Sequence, residues 1–150
     1  MPKEKDIPFY SIIKETFGSV TEDFGFELQD EAVWSGMGEY IIIAKKGDIE
    51  LNFYLGMSQL FYYCSVGIKL SGELGKKATG DPKFRNLGVS TIAKCLDPDY
   101  KHSGKSPQTS EEVKHAFENR KEDLLKYCKD ILSGDVSIWP TVVNHLKKKK

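Results

Sequence analysis

The segment Ser103-Gly104-Lys105-Ser106 contains the Gly-Lys-Ser ending of a phosphate-binding loop. That chemistry needs an earlier glycine, separated from Gly104 by four residues, so that backbone N–H groups can cradle the phosphates. Asp99 stands there instead, and its carboxylate repels phosphate. The segment also follows a short helical pattern and runs into Pro107, whereas a phosphate loop leaves a buried strand. It reads as a surface loop. The glycines and lysines of Gly72-Glu73-Leu74-Gly75-Lys76-Lys77 miss the same spacing.

Metal and acid–base chemistry find no better footing. Asp97, Asp99 and His102 put three donors within six residues, but the glycine turn and terminal glutamate of a calcium loop are missing. No histidine pair has the helical spacing of a zinc site. His102 falls in a loop, and His115 and His145 fall on two C-terminal helices. Cys64, Cys95 and Cys128 are odd in number and widely separated, which fits neither a disulfide framework nor a zinc pattern. None has a histidine beside it in sequence to activate the thiol. Cys64 and Cys128 lie on apolar faces, where a thiol behaves as a small hydrophobe. The expectation is no catalytic residue, no metal ligand and no cofactor.

Binding is better served. On the face of a sheet opposite Leu60, Tyr62, Cys64 and Val66, the residues Tyr54, Phe61 and Tyr63 cluster if the third and fourth strands pair. Exposed aromatics beside Glu50 and Lys69 suit a protein interface, where such rings carry much of the energy. An RNA-reading sheet also stacks bases on aromatics, but its glycine–aromatic signature with flanking basic residues is absent. The plain competing expectation is that a C-terminal helix covers these rings.

The elements that must position these side chains follow from periodicity. Asp6 can cap a first helix and Pro8 suits its first turn. Phe9, Ile12, Ile13, Phe17, Val20 and Phe24 recur at helical spacing up to Gly25. The period then changes to two. Strands are expected over 26–34, 39–45, 49–55 and 60–70, with turns at Ser35-Gly36-Met37-Gly38, Lys46-Gly47-Asp48 and Gly56-Met57-Ser58. Short connections imply an antiparallel meander. Residues 71–86 read as a loop, Val89, Ile92, Ala93 and Leu96 as a short helix, and 97–108 as a second polar loop. Thr109 and Glu112 form a capping box for the main C-terminal helix, which Gly134 ends. A last short helix reaches Leu146 before the basic tail 147–150.

The fold class expected is therefore α+β: an N-terminal helix, a four-stranded antiparallel meander, then two or three C-terminal helices packed on the sheet. Residues 1–150 read as a single domain, since 150 residues can bury most of their surface. Hydrophobic residues at 39% are too many for a disordered chain. Basic and acidic residues balance at 22 each, so nothing steers the whole domain toward nucleic acid or an anionic membrane. The longest apolar run, Tyr40-Ile41-Ile42-Ile43-Ala44, is far short of the roughly 20 residues of a membrane helix. The charged start Met1-Pro2-Lys3-Glu4-Lys5-Asp6 lacks a signal-peptide core, which points to the cytoplasm. With a neutral domain behind it, the lysine tail reads as a solvated end rather than a nucleic-acid or lipid anchor.

The opening amphipathic helix, the meander, the loose middle and the late helix ending Ile131-Leu132-Ser133-Gly134-Asp135, with Trp139-Pro140 downstream, resemble small uncharacterised α+β bacterial domains. Some of these are immunity proteins that bind and block a cognate toxin. The resemblance is one of layout and carries no site residues; the neutral charge departs from the acidic balance of proteins that cap basic nuclease toxins. The reading at this point is a non-enzymatic protein-interaction domain. The alternative is a small-ligand-binding or catalytic domain with a pocket between the sheet and loops 71–86 and 97–108.

Overall fold

A computed structural model describes residues 7–29, 32–34, 38–57, 60–102 and 106–148. The Asp6 cap, the Ser35-Gly36-Met37 turn, Ser58, the Ser103-Gly104-Lys105 segment and Lys149-Lys150 lie outside the described residues. The architecture is α+β. Helix α1 (Phe9–Phe24) buries Phe9, Ile12, Ile13, Phe17 and Val20 along one stripe. It stops at Gly25, whose φ of 79° is open to glycine at no steric cost, while the Phe26 N–H reaches back to the Thr21 carbonyl.

Among the described residues six strands follow in one antiparallel sheet: β1 (Glu27–Leu28), β2 (Val33–Trp34), β3 (Glu39–Lys46), β4 (Ile49–Met57), β5 (Tyr62–Leu70) and β6 (Asn86–Gly88). The order is β1-β3-β4-β5-β6, with β2 also pairing β3. The expected strand over 26–34 is two short pieces on the outer edge of β3, one pairing Leu28 with Ala44 and the other Val33 with Ile41. Lys46 pairs with Ile49, so Gly47-Asp48 is a two-residue hairpin turn whose first central residue has a φ of 57°.

The stretch 71–86 is more ordered than a loop. It holds α2 (Gly72–Ala78), a 3-10 turn (Pro82–Phe84) and the start of β6. Its reason is local: the Asp48 carboxylate accepts from the Leu74 N–H at 3.3 Å, and the Ser71 N–H donates to the Asp48 carbonyl. A carboxylate at a helix start satisfies an otherwise orphaned donor.

Helix α3 (Val89–Leu96) precedes α4 (Ser110–Tyr127), whose Thr109 hydroxyl accepts from the Glu112 N–H as the capping box requires. The expected continuous helix to Gly134 breaks at Cys128, where φ is −120° and ψ 10°. A separate turn α5 (Lys129–Leu132) and a final helix α6 (Trp139–Lys148) complete the chain. Among the described residues no helix is long and apolar enough to cross a membrane.

All the helices bury their side chains against one face of the sheet. That face carries Ile42, Ala44, Leu51, Phe53, Leu55, Val66, Ile68 and Leu70, each at most 2% exposed. Phe17 lies on Phe53 with ring centroids 4.6 Å apart, and Phe117 of α4 meets Phe9 and Phe17 at 5.8 and 6.4 Å. Lys46, at the end of β3, closes two helices at once. Its ammonium donates to the Phe24 carbonyl at 2.9 Å and the Leu132 carbonyl at 2.6 Å, the last acceptors of α1 and α5.

Candidate interaction site

Alternation sends the remaining residues of β3, β4 and β5 to the opposite face. Cross-strand register arranges them in rows: Glu39, Gly56 and Tyr63; Ile41, Tyr54 and Ser65; Ile43, Asn52 and Gly67; Lys45, Glu50 and Lys69. Ile41, Ile43, Tyr54 and Tyr63 take no part in the hydrophobic core. The expectation that a C-terminal helix covers these rings is therefore overturned: the helical layer is spent on the other face, where the larger apolar area lies.

The three aromatics singled out by sequence part company on this open face. Phe61 and Tyr63 meet edge to face at 4.8 Å. Tyr54 belongs to the next row and leans the other way, its ring 3.5 Å from the point where a Gly67 side chain would begin. Burial there pushes its phenol above the ordinary 10.0; a hydrogen bond from Asn86 pulls it down, and the charges of Glu39 and Glu50 push it up again. Tyr54 is thus half-buried in the sheet surface, while Tyr63 is 53% exposed.

Phe61 and Tyr63 open one end of a cleft of about 630 Å³ that also takes in Glu39, Cys64, His102, Ser106 and Arg120. Strand topology makes this cleft. β6 covers the outer edge of β5 from Gly67 to Lys69, and the Pro107 carbonyl accepts from the Tyr62 N–H at 2.8 Å. Leu70 also donates outward, to the Arg85 carbonyl, so the even-numbered residues of β5 present their main chain to that edge. Between the two covers, the edge at Cys64 opens onto the cleft.

Arg120 forms the floor. It sits in the apolar phase of α4, four residues before Leu124 and three after Phe117, and is only 2% exposed. Its charge is balanced by Asp123, with Nη2 and Oδ2 3.3 Å apart. Nη1 donates to His102 Nε2. An arginine has no acceptor, so that nitrogen of His102 is unprotonated and the ring neutral. Burial holds the His102 pKa below the ordinary 6.5, the Arg120 charge adds to this, and Asp123 opposes it. Asp123 also accepts from the Tyr100 hydroxyl at 2.7 Å, which lies 3.3 Å from the Ser90 hydroxyl. The network ties loop 97–108 to α3 and α4.

The arrangement does not assemble a nucleophile. Burial pushes the Cys64 thiol up to about 12 despite the nearby Arg120 charge, and Cys128 likewise to about 12 with Asp123 adding to the effect. A reactive thiol needs the opposite shift. Asp97 and His102, weighed together with Asp99 as metal ligands, bond different partners: the Asp97 carboxylate accepts from Tyr127 at 2.7 Å, and His102 accepts from Arg120. Among the described residues no three metal-ligating side chains gather.

Sequence reasoning missed Val33, Trp34 and Leu60. Leu60 was expected to face inward with Tyr62, but β5 begins at Tyr62 and Leu60 stands 73% exposed. Val33 and Trp34 are 53% and 47% exposed, and Trp34 packs on Tyr40 with centroids 4.7 Å apart. Register places Val33 and Trp34 at the end of the sheet where β5 begins: Trp34 is opposite Tyr40, Tyr40 opposite Leu55, and Leu55 opposite Cys64, while Leu60 lies two residues before β5. Comparison with protein-family models, curated proteins and solved structures finds no match.

Proposed function

We propose that this chain is a non-enzymatic, cytosolic protein-interaction domain that meets its partner through the aromatic end of the sheet. One observation carries the reading. The large hydrophobic side chains with the greatest exposure among the described residues, Val33, Trp34, Leu60 and Tyr63, all belong to that end of the sheet, Trp34 on the helix-bearing face and Val33 and Tyr63 on the open one. Isolated exposed apolar residues are ordinary, but a cluster rimmed by polar groups marks an interaction site. Tryptophan and tyrosine are also the residues that dominate binding hot spots. The immunity-like layout makes a cognate toxin the partner class to try first.

The test is site-specific photo-cross-linking in the source cell, with the reactive group at position 60 and, as control, at position 45 in the charged row at the far end. A single protein adduct from position 60, absent from position 45, is expected. Equal labelling from both positions, or none from position 60, overturns the reading. A second reading, a small-ligand site, draws on the cleft itself, where His102 and Ser106 of loop 97–108 meet Arg120. Residues 71–86, expected to share that pocket, lie against Asp48 and β5 instead.

A further inference from the structure

We infer that the cleft beside Tyr63 receives a basic side chain, lysine or arginine, from the partner protein. This rests on the aromatic end being the partner surface and adds what that surface recognises. Glu39 and Tyr63 flank Gly56 on the open face, one on each neighbouring strand. The Glu39 Cγ lies 3.5 Å, and the Tyr63 ring 3.4 Å, from the point where a Gly56 side chain would begin. A carboxylate and an aromatic ring therefore stand on either side of a position with no side chain of its own. Phe61 extends the aromatic wall by its edge-to-face contact with Tyr63.

Charge decides the occupant. Among the described residues the lining holds two formal charges, Arg120 and Glu39. Arg120 is balanced inside the protein by Asp123. No salt bridge among the described residues involves Glu39. His102 is neutral while it accepts from Arg120. Among its described residues the cleft thus offers one uncompensated negative charge beside two aromatic rings. A cation over a ring is attracted by the ring's quadrupole, and a carboxylate at the same place adds a salt bridge. An acidic side chain would meet repulsion from Glu39. The opening of the β5 edge at Cys64 lets an extended partner segment approach the same wall.

Two blocked tripeptides, acetyl-Gly-Arg-Gly-amide and acetyl-Gly-Glu-Gly-amide, test this on the full ¹⁵N-labelled chain. The arginine peptide is expected to give saturable amide shifts at Glu39, Tyr63, Cys64 and Ser65, and the glutamate peptide none. Glu39→Gln should weaken the arginine peptide about fivefold and abolish the salt dependence of its affinity. Tyr63→Leu, exposed and safe for folding, should weaken it by a similar factor. Equal response to both peptides, or affinity unmoved by Glu39→Gln, overturns the proposal. If position 60 still cross-links to one protein while the arginine peptide fails, the partner surface stands and only the basic-side-chain inference falls.

Discussion

A buried arginine that donates to a neutral histidine makes that histidine answer to pH. Protonation would turn His102 Nε2 from acceptor into donor, and two cations would then face each other beside Asp123 alone. The folded pKa lies below 6.5, mainly through burial and then through Arg120, so the folded state takes up the proton less readily than the unfolded chain. The contribution of His102 to stability is therefore complete above pH 6.5 and is lost as pH falls through the folded value. NMR titration should place the His102 midpoint below that of the same residue in urea, and acidification should loosen loop 97–108 first. A midpoint at or above the unfolded one would refute this. The cysteines behave in the opposite sense. Cys64 and Cys128 keep their protons up to about 12 in the fold against an ordinary 9.0, so stability falls as pH rises between those values. The buried Cys128 thiol should resist alkylation at neutral pH in the native protein and react promptly once it is unfolded; fast labelling of Cys128 in the native state would contradict the burial that protects it.

Among the elements, those with internal periodicity were legible and those defined by a distant partner were not. Helix α1, the pairing of β4 with β3 and β5, and the Thr109 cap follow from apolar spacing and from a hydroxyl three residues before a glutamate. Phe61 and Tyr63 could be read from the alternation along β5 for the same reason. Strands β1, β2 and β6 have only two or three residues each, too few for a period to register, and α2 depends on Asp48 across a hairpin. Arg120 occupies an apolar phase of α4, a readable anomaly, but nothing local tells that Asp123 and His102 will meet it. Lys46 belongs to this class of long-range contact. Replacing it with methionine leaves the carbonyls of Phe24 and Leu132 without their charged donor and takes the ammonium away from the Phe26 ring. Urea unfolding should show a loss of about 2–3 kcal/mol, the range for a hydrogen bond to a charged group. Gly72→Ala should be costly for a different reason. Its φ of 54° is left-handed, and the new Cβ would lie 2.6 Å from the Asp48 carboxylate that caps α2. A loss of at least about 1–2 kcal/mol is expected from the backbone alone; a neutral outcome would mean that α2 reorganises.

At the scale of the whole molecule, the sheet divides its labour between faces and between ends. One face binds all the helices. The other is graded along the strands, from the end with Val33 and Tyr63 to a row in which Glu27, Lys45, Glu50 and Lys69 alternate in sign across neighbouring strands. Charges of alternating sign on neighbouring strands leave the far end well hydrated and unattractive to a hydrophobic partner. Exposed apolar side chains at the other end contribute little to folding, because they lose little contact with water on folding. Stability and binding should consequently separate. Substituting Trp34 and Leu60 together with serine should move the unfolding free energy by no more than about 0.5 kcal/mol per site, as for other surface positions. The same variant should lose about 2 kcal/mol or more of affinity for the protein cross-linked at position 60, since aromatic anchors at an interface centre carry that much. Calorimetric titration of the purified pair measures the second quantity and urea unfolding the first. A variant that unfolds early would show that this end holds the fold together, and one that binds unchanged would place the partner elsewhere on the molecule.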